Sequence, residues 1–296
     1  MKPNISIVIP TFHRKASLFR LLRSFAEKIR EHVEIIIVEQ GDNNGKSYKE
    51  YAKKLHISLI YSFLKNRSTP RAMNIGVTKA RGRFILFLDD DVTVHKNLII
   101  HHLTNFSNPK IGATVGRIIT DRKLQEPYRR DTGRINWIAS FSDGFSSTVK
   151  QEVDTVIGAN TCWRKSVYEK LGGMDDRFTG NALRLESDLS LRAKKVGYII
   201  IFEPKAVVDH HREPRGGARK SEGRMQWYFD FFSNETYFFL KHRSKLFFPF
   251  FLFIKSEWIF RCMFGLGREV SIRSFITPFA GLIDGVRKYR NYENRR

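Results

Sequence analysis

Three adjacent aspartates, Asp89, Asp90 and Asp91, are the residues of this chain whose types and spacing most clearly suggest chemistry. They follow the apolar run 84–88, which reads as a buried strand. Neighbouring carboxylates repel one another, so such a cluster persists when a divalent cation or a cationic partner offsets the repulsion. Ligands usually bind at the carboxyl edge of an α/β sheet, and carboxylates suit a hard metal ion that carries a diphosphate. An acidic turn that caps the next helix is the alternative.

The elements before these aspartates predict a parallel sheet. Residues 5–9 and 34–38 are short, mostly β-branched runs, as expected for strands buried on both faces. Between them, residues 16–29 carry apolar side chains at helical spacing. The alternation repeats as strand, helix and strand at 58–63, 69–80 and 83–88. Alternating strands and helices imply a parallel sheet with helices on both faces.

Eight segments carry polar, glycine or acidic residues at or near the ends of expected elements. They are Val8–Arg14, Val38–Asp42, Asn74–Gly76, Leu88–Asp91, Gly158–Asn160, Leu171–Phe178, Leu185–Arg192 and Pro204–His210. Their types and their order resemble the motifs of family 2 glycosyltransferases of the GT-A fold, over about residues 4–211. The resemblance implies an inverting enzyme that uses nucleotide-diphospho sugars. It also implies an α/β, Rossmann-like fold with a mixed, mainly parallel sheet flanked by helices.

The resemblance and the composition together divide the chain. Residues 1–211 are expected to form the GT-A glycosyltransferase domain, with 1–118 as the nucleotide-binding half and 119–211 as the acceptor half. Residues 225–296 are expected to form a helical, aromatic-rich extension that associates with a membrane. We expect the domain to bind nucleotide without the end of this extension.

Residues 212–224 join the two parts and are rich in glycine and basic side chains. This composition suits a lid that closes over a diphosphate, or a linker. Arg215 and Arg219 are its candidate contacts to the acceptor or the diphosphate.

The resemblance also implies a metal site. Asp91 and His210 are the expected metal ligands, while Asp89 is expected on the ribose or a metal-bound water, and Asp90 nearby on the nucleotide-sugar side. The sequence leaves open which pair of aspartates acts. Mn²⁺ or Mg²⁺ is the expected cofactor, and an imidazole ligand favours Mn²⁺.

The first two loops are expected to recognise the nucleotide. Pro10, Thr11 and Arg14 end the first strand, and Glu39 ends the second. Glu39 stands where the family usually has aspartate, and it would accept the N–H of uracil or thymine. A UDP or dTDP sugar is therefore the expected donor, although the longer side chain leaves the base open.

A helix near the diphosphate supplies the next candidates, Arg71 and Asn74. The family often has an arginine one residue before this asparagine, where the present chain has Met73. Arg71, from a different turn, is the candidate for that contact.

Glu186 is the expected catalytic base, which removes the proton of the acceptor hydroxyl. This register is fixed on Asp188, Leu189 and Arg192 of the same motif. Asp188 belongs to the acceptor-side motif, but it lies four residues before Arg192, a spacing that favours a structural ion pair within a helix.

Net charge and cysteine content limit the possible binding partners and the cellular compartment. The chain of 296 residues has a formal net charge of +22 and two cysteines, a pattern that suits a reducing cytosol. The N-terminus runs directly into the first strand, so no signal peptide is expected. Basic residues are scattered and no nucleic-acid-binding motif is evident, so nucleic acid is an unlikely partner. An anionic membrane and a diphosphate substrate both fit the sign of the charge.

The C-terminal segment is aromatic and basic, and residues 246–254 are uncharged. A bilayer span needs about 20 apolar residues, so an interfacial helix at the cytoplasmic face is favoured over a span. A core helix or an oligomer contact is the other interpretation. An acceptor held at the membrane, such as a polyprenyl-diphosphate-linked sugar, or another glycan would fit an enzyme of cell-surface polysaccharide or glycoconjugate synthesis.

Two other functions compete with sugar transfer. A sugar-nucleotide nucleotidyltransferase also joins an α/β sheet to a metal and a nucleotide, but it usually has a Gly-rich basic loop where this chain has residues 10–13. A non-catalytic basic module that binds membrane or nucleic acid would explain the charge and the aromatic content, but not the ordered acidic motifs.

Overall fold

A computed structural model describes residues 3–29, 33–120, 132–213, 216–217, 223–265 and 271–295. The strands are β1 Ile5–Phe12, β2 Val33–Gln40, β3 Ser58–Leu64, β4 Phe84–Leu88, β5 Val92–Val94, β6 Ile111–Thr120, β7 Gln151–Val153, β8 Asn160–Arg164 and β9 Ile199–His210. The α-helices are α1 Lys15–Lys28, α2 Gly45–Lys54, α3 Thr69–Lys79, α4 Leu98–Leu103, α5 Lys165–Lys170, α6 Leu185–Lys195, α7 Arg224–His242, α8 Phe248–Phe264 and α9 Ile272–Glu293. Short 3₁₀ turns lie at Thr104–Ser107 and Lys245–Phe247.

The nine strands found in the described residues belong to one mixed sheet, in the order β3-β2-β1-β4-β8-β6-β9-β5, with β7 paired to β9. Strands β1 to β4 are mutually parallel, whereas β8 runs antiparallel to both β4 and β6. The expected mixed, mainly parallel sheet and its flanking helices are confirmed. Because β1 and β2 pair through Thr11 and Glu39, their carboxyl ends are level.

Burial explains why the first strands have so little charge. Every residue of β2 after Val33 is buried, because helices cover both faces of the sheet. Helix α1 turns one stripe toward it, formed by Leu18, Leu21, Leu22 and Phe25.

The C-terminal helices pack into the same body as the sheet. Residues 230–240 of α7 are all buried, and Tyr237, Phe238 and Phe239 join the hydrophobic core of the sheet. Helix α9 approaches α7 closely at Gly285, where an added Cβ would lie 2.6 Å from the backbone oxygen of Ser233. The expected helical extension is therefore present, and α7 is a packed core helix.

Among the described helices, none combines the length and the apolar character that a bilayer span requires.

Candidate active site

The candidate site lies at the carboxyl edge of the parallel strands. Asp89, Asp90 and Asp91 follow β4, and the next strand, β5, pairs antiparallel with the end of β9. In that register His210 lies opposite Val92. The strand pairing therefore brings His210 beside the aspartates from more than a hundred residues away in the sequence.

Asp89, Asp91 and His210 form a group that could hold a metal ion. One ligand atom of each lies within 4.8 Å of the others. His210 Nε2 is 3.0 Å from Asp91 Oδ1 and 3.8 Å from Asp89 Oδ2. The Asp89 side chain is about half exposed and Asp91 is buried, so the group has one open side. Two carboxylates and an imidazole suit Mn²⁺, and the residues present fit the expected ion.

Asp90 turns away from this group. It is buried, accepts a hydrogen bond from Thr11 Oγ1 at 2.7 Å, and accepts another from Arg14 Nη1 at 2.9 Å. The same guanidinium lies 2.9 Å from Asp91 Oδ2. The geometry thus groups Asp89 with Asp91 and His210, whereas Asp90 is hydrogen-bonded to Thr11 at the end of β1 and to Arg14.

The surroundings shift the pKa values of the two buried aspartates in opposite directions. Burial raises the pKa of Asp90 to about 6, although Arg14 opposes this effect. Burial would also raise the pKa of Asp91, but the hydrogen bond from His210 and the positive charges of His210 and Arg14 hold it at about 2. Asp91 is therefore ionised at neutral pH, as a metal ligand must be.

The Glu39 carboxylate is saturated by protein donors. It accepts from the Asn44 backbone N–H and side-chain amide, both at 2.6 Å, and from the hydroxyls of Tyr48 at 3.0 Å and Tyr61 at 2.7 Å. Four donors match the four lone-pair sites of a carboxylate. In this structure Glu39 therefore fastens the loop after β2 to α2 and β3, and the predicted contact to a base would have to replace one of these hydrogen bonds.

Asn74 is likewise engaged inside the protein. Its Oδ1 accepts from Tyr168 OH at 2.7 Å and from the Met174 backbone N–H at 2.9 Å, while its Nδ2 donates to the Met174 carbonyl at 2.9 Å. A diphosphate contact would have to replace these bonds. The structure instead assigns Asn74 to holding the turn at Gly173 and Met174 against α3.

Arg71 remains a candidate for the diphosphate contact, because its side chain is exposed in the first turn of α3. It lines a cavity of about 220 Å³ together with Arg67, Thr69 and Phe178. Arg67 was not predicted from the sequence. Its guanidinium lies 5.5 Å from the centre of the Phe12 ring at the end of β1, and no motif signals that contact.

Glu186 lies in the first turn of α6 and is partly exposed. Its carboxylate packs against Gly158, where an added Cβ would come within 2.6 Å of Glu186 Oε1. Gly158 precedes β8, and β8 begins opposite the end of β4, with Asn160 paired to Leu88. This antiparallel pairing places Glu186 near the sheet edge where the aspartates begin.

Asp188, two residues further on, has no exposed surface. Its carboxylate lies 2.8 Å from Arg192 Nη2, 2.7 Å from Lys241 Nζ and 2.7 Å from His242 Nε2. The predicted ion pair with Arg192 is confirmed, and the enclosure of the carboxylate by three basic groups favours a structural role for Asp188 over acceptor binding. Lys241 and His242 belong to α7 and were not predicted, since they lie beyond the recognised motifs.

Part of the segment after β9 crosses this edge. The Glu213 backbone N–H donates to Asp91 Oδ2 at 3.1 Å, and the Gly217 N–H donates to the Phe12 carbonyl at 2.9 Å. Pro10 lies half-buried near the end of β1. Arg215 and Arg219, the predicted lid contacts, lie outside the described residues.

Solved structures share this fold. The structure of GalNAc-T7 with UDP, GalNAc and Mn²⁺ superposes with a TM-score of 0.62 at 16% identity, over 81% of this chain and 50% of that one. The mannosyltransferase PcManGT from Pyrobaculum calidifontis, in complex with GDP-Man and Mn²⁺, gives a TM-score of 0.58 at 16% identity, over 97% and 76% of the two chains. These similarities establish the GT-A fold.

Sequence comparison establishes the family. The chain is 26% identical over 283 residues to the probable glycosyltransferase YdaM of Bacillus subtilis (strain 168), covering 87% of this chain but 63% of that relative, so it spans less than two thirds of the relative's length. The family model described as "Glycosyl transferase family 2" matches residues 6–172, which is more than half of the chain and includes Thr11 of β1, Glu39 of β2 and the aspartates that follow β4. The chain therefore belongs to glycosyl transferase family 2.

Proposed function

We propose that the protein transfers a sugar from a nucleotide-diphospho sugar to a hydroxyl of a glycan or lipid-linked acceptor, with inversion at the anomeric carbon. The observation that carries this proposal is the group formed by Asp89, Asp91 and His210 at the carboxyl edge of the sheet. Family membership and the two solved neighbours, whose complexes hold Mn²⁺ and either UDP or GDP-Man, support it.

Asp89, Asp91 and His210 would hold Mn²⁺ or Mg²⁺, with Mn²⁺ favoured by the imidazole. When bound, such an ion neutralises the charge that develops on the leaving diphosphate. Arg14 has two effects on this group. Its Nη1 atom pairs with the Asp91 carboxylate and so holds that side chain in place, and its charge neutralises part of the acidic cluster in the free protein.

Glu186 is the proposed base. Its partial exposure and its place at the start of α6 allow an acceptor hydroxyl to reach the carboxylate. A carboxylate within hydrogen-bond reach of that hydroxyl removes its proton as the oxygen attacks the anomeric carbon. The bond to the diphosphate breaks on the opposite face of the sugar, so a single displacement inverts the configuration.

The loops that follow β1 and β3 would bind the nucleotide-sugar donor. Thr11 and Arg14 fix the first loop through Asp90, and Arg67 and Arg71 present positive charge beside it. Arginine is well suited to a diphosphate because its planar fork donates two parallel hydrogen bonds. We propose a UDP or dTDP sugar. Because Glu39 is saturated, recognition of the base then rests on other groups of these loops, such as backbone atoms near Pro10.

The Glu186→Gln variant tests the proposed base. The two side chains are nearly isosteric, so donor binding is expected to persist, while the rate of transfer falls about 10²-fold or more. The donor is first identified by thermal shift with a panel of nucleotide sugars, since a ligand that binds the native state raises the melting temperature. Transfer is then followed as acceptor-dependent release of the nucleoside diphosphate.

Glu169→Gln is the matched control, because Glu169 is an exposed glutamate on the neighbouring helix α5. It is expected to keep the wild-type rate. A Glu186→Gln enzyme that transfers sugar within about threefold of the wild-type rate would remove Glu186 from the base role.

A further inference from the structure

An unusually large apolar surface covers the outside of the C-terminal helices. We call it the aromatic face and define it by thirteen side chains that are 37–80% exposed. They are Trp137, Leu246, Phe247, Phe250, Phe253, Ile254, Phe260, Phe264, Ile272, Phe275, Ile276, Phe279 and Ile283. Single exposed apolar residues are normal on a protein surface, but a contiguous group of this size marks an interaction site.

Ring contacts join both ends of the aromatic face to neighbouring elements, while the exposed ion pair of Glu257 and Arg261 lies between Phe253 and Phe260 on the outer side of α8. Trp137 lies 5.3 Å from Phe247 and 6.2 Å from Phe250, measured between ring centres. At the other end of α8, the Phe264 ring lies 5.6 Å from that of Phe275 on α9. The face therefore runs from the loop before β7, along α8, and onto α9.

Both helices have a second face that is already packed. On α8, Phe251 and Cys262 are buried against the rest of the protein, and Phe253 and Phe260 project from the opposite side. On α9, Ser274, Pro278, Gly281 and Gly285 are buried, at a spacing that places them on the side facing α7. The aromatic face is consequently the outer side of well-packed helices.

The size of the aromatic face exceeds what a monomer usually exposes. Its six phenylalanines on α8 and α9 at positions 250, 253, 260, 264, 275 and 279 are each 38–77% exposed. With about 200 Å² for a whole aromatic side chain, these six rings alone present roughly 650 Å². The largest apolar patch of a typical monomer is about 300–600 Å².

Positive charge borders the aromatic face. On α9 the exposed positions 272, 276, 279 and 283 continue at helical spacing into Arg287 and Arg290, which are also exposed. Arg273 is exposed beside the start of this stripe. The outer side of α9 thus changes from apolar to basic along its length, and the whole chain has a net charge of +22.

We propose that the aromatic face docks on an anionic lipid bilayer, with its phenylalanines in the interface and its arginines at the headgroups. Helices with an apolar face bordered by basic residues bind such surfaces, and aromatic rings are favoured at the level of the headgroups. Anionic lipid complements the charge. Contact with a second copy would instead bring two basic borders together, which is why lipid is the assigned occupant.

This docking extends the proposed function and is tested without catalysis. The full-length protein is sedimented with vesicles of phosphatidylcholine containing one quarter phosphatidylglycerol, and with vesicles of phosphatidylcholine alone. Binding to the anionic vesicles is expected to be at least tenfold tighter. High salt should weaken it only in part, because the apolar contribution is not screened.

The double variant Phe253→Asp/Ile276→Asp places two carboxylates on the aromatic face and should bind anionic vesicles at least tenfold more weakly. Ile100→Asp/Val196→Asp is the matched control, because it makes the same charge change at two exposed aliphatic residues, one on α4 and one directly after α6. The control should bind within about threefold of wild type. All four positions are exposed, so the melting temperature should change little in either variant.

Equal vesicle binding by the wild type and the aromatic-face variant would overturn the proposal, as would the failure of the wild type to sediment. Light scattering measures whether the protein is a monomer or a dimer, which distinguishes the remaining outcome. If the wild type is a dimer that the double variant dissociates, and no vesicle binding is seen, the occupant is a second copy and the lipid assignment is wrong.

Discussion

Glu186 and Asp188 are two residues apart on α6, yet their surroundings give them different roles. Asp188 has no exposed surface and lies within 2.8 Å of three basic side chains. Burial would raise the pKa of Asp188, but the hydrogen bond from His242 and the charges of Arg192 and Lys241 hold it well below its ordinary value. A carboxylate held ionised by three basic neighbours is a poor proton acceptor, whereas the Glu186 side chain is partly exposed and is the proposed base.

Asp188→Asn should therefore destabilise the protein rather than act on the chemistry alone. Removal of one partner of a buried ion pair leaves uncompensated charge and costs about 3–5 kcal/mol. Urea unfolding measures the loss, and Asp176→Asn, at an exposed position of the preceding loop, is the control expected to be near neutral. A variant Asp188→Asn that keeps full stability but loses transfer would shift the base from Glu186 to Asp188.

The resemblance to the family motifs predicted Asp91 and His210 as metal ligands and placed Asp89 on the ribose or a metal-bound water. The structure brings all three side chains together because β5, which follows the aspartates, pairs with the end of β9. Glu39 and Asn74 could not be assigned in the same way. Their partners, Tyr61 and Tyr168, come from other elements, and no local pattern shows that these hydroxyls point at a carboxylate or an amide.

Helix α7 is joined to its neighbours by a buried ion pair. Glu235 lies 2.6 Å from Arg184 Nε and 2.8 Å from Lys255 Nζ, so one carboxylate links α7 to the start of α6 and to α8. Burial would raise the pKa of Glu235, but the charges of Arg184 and Lys255 lower it from 4.5 to about 2. The ionised form is thus favoured by the folded state.

Glu235→Gln is expected to lower the free energy of unfolding by about 3 kcal/mol at pH 7. Because the folded-state pKa is depressed, this contribution is complete above the ordinary value of 4.5 and is lost as the pH falls toward 2. The difference between wild type and variant should therefore shrink to about 1 kcal/mol at pH 3. Urea unfolding at both pH values measures it.

Glu257→Gln is the control on the adjacent helix α8. Glu257 also pairs with an arginine, Arg261, but both side chains are more than half exposed. An exposed pair contributes about 0–1 kcal/mol, so the control should be close to wild type. A loss of stability at Glu235 no larger than at Glu257, or one that grows toward pH 3, would contradict the role of the buried pair.

At the scale of helices and strands, the spacing of apolar residues predicted where the elements lie, but it did not predict which of them are buried. The alternating strands and helices of residues 5–88 appear as β1 to β4 and α1 to α3. The aromatic C-terminal segment was correctly predicted to be helical. However, the aromatic runs of this segment have similar compositions, so the sequence did not distinguish a buried helix from an exposed one. In the structure α7 is buried from Asp230 to Leu240, whereas Phe253 of α8 is 77% exposed.

The whole molecule behaves as one packed unit of sheet and C-terminal helices. Helix α7 contributes Tyr237 and Phe238 to the core of the sheet, and it pairs Lys241 and His242 with Asp188. Its other side is covered by α9, whose Gly281 approaches the backbone of Phe229. The expectation that nucleotide binding survives loss of the end of the chain therefore conflicts with this packing.

Truncation after His242 should destabilise the whole protein, because it uncovers the side of α7 that α9 buries. We expect the melting temperature to fall by about 10 °C or more. Truncation after Glu293, which removes only residues 294–296, is the control and should leave it unchanged within about 1 °C. A shortened chain that melts with the control would show that α8 and α9 do not support the sheet domain.

The central claim is that the group formed by Asp89, Asp91 and His210 supports metal-dependent transfer from a nucleotide sugar. The measurement is release of nucleoside diphosphate by the full-length protein with Mn²⁺, a panel of nucleotide sugars and hydroxyl acceptors. We predict release with a preferred donor, its loss in excess chelator, and a fall of about 10²-fold or more in Asp91→Asn. Glu169→Gln, at the exposed glutamate of α5, is again the control and should keep the wild-type rate. Release that persists at the wild-type rate in chelator or in Asp91→Asn would contradict the claim, and so would release of pyrophosphate in a parallel assay with nucleoside triphosphates and sugar 1-phosphates, the reactants of nucleotidyl transfer.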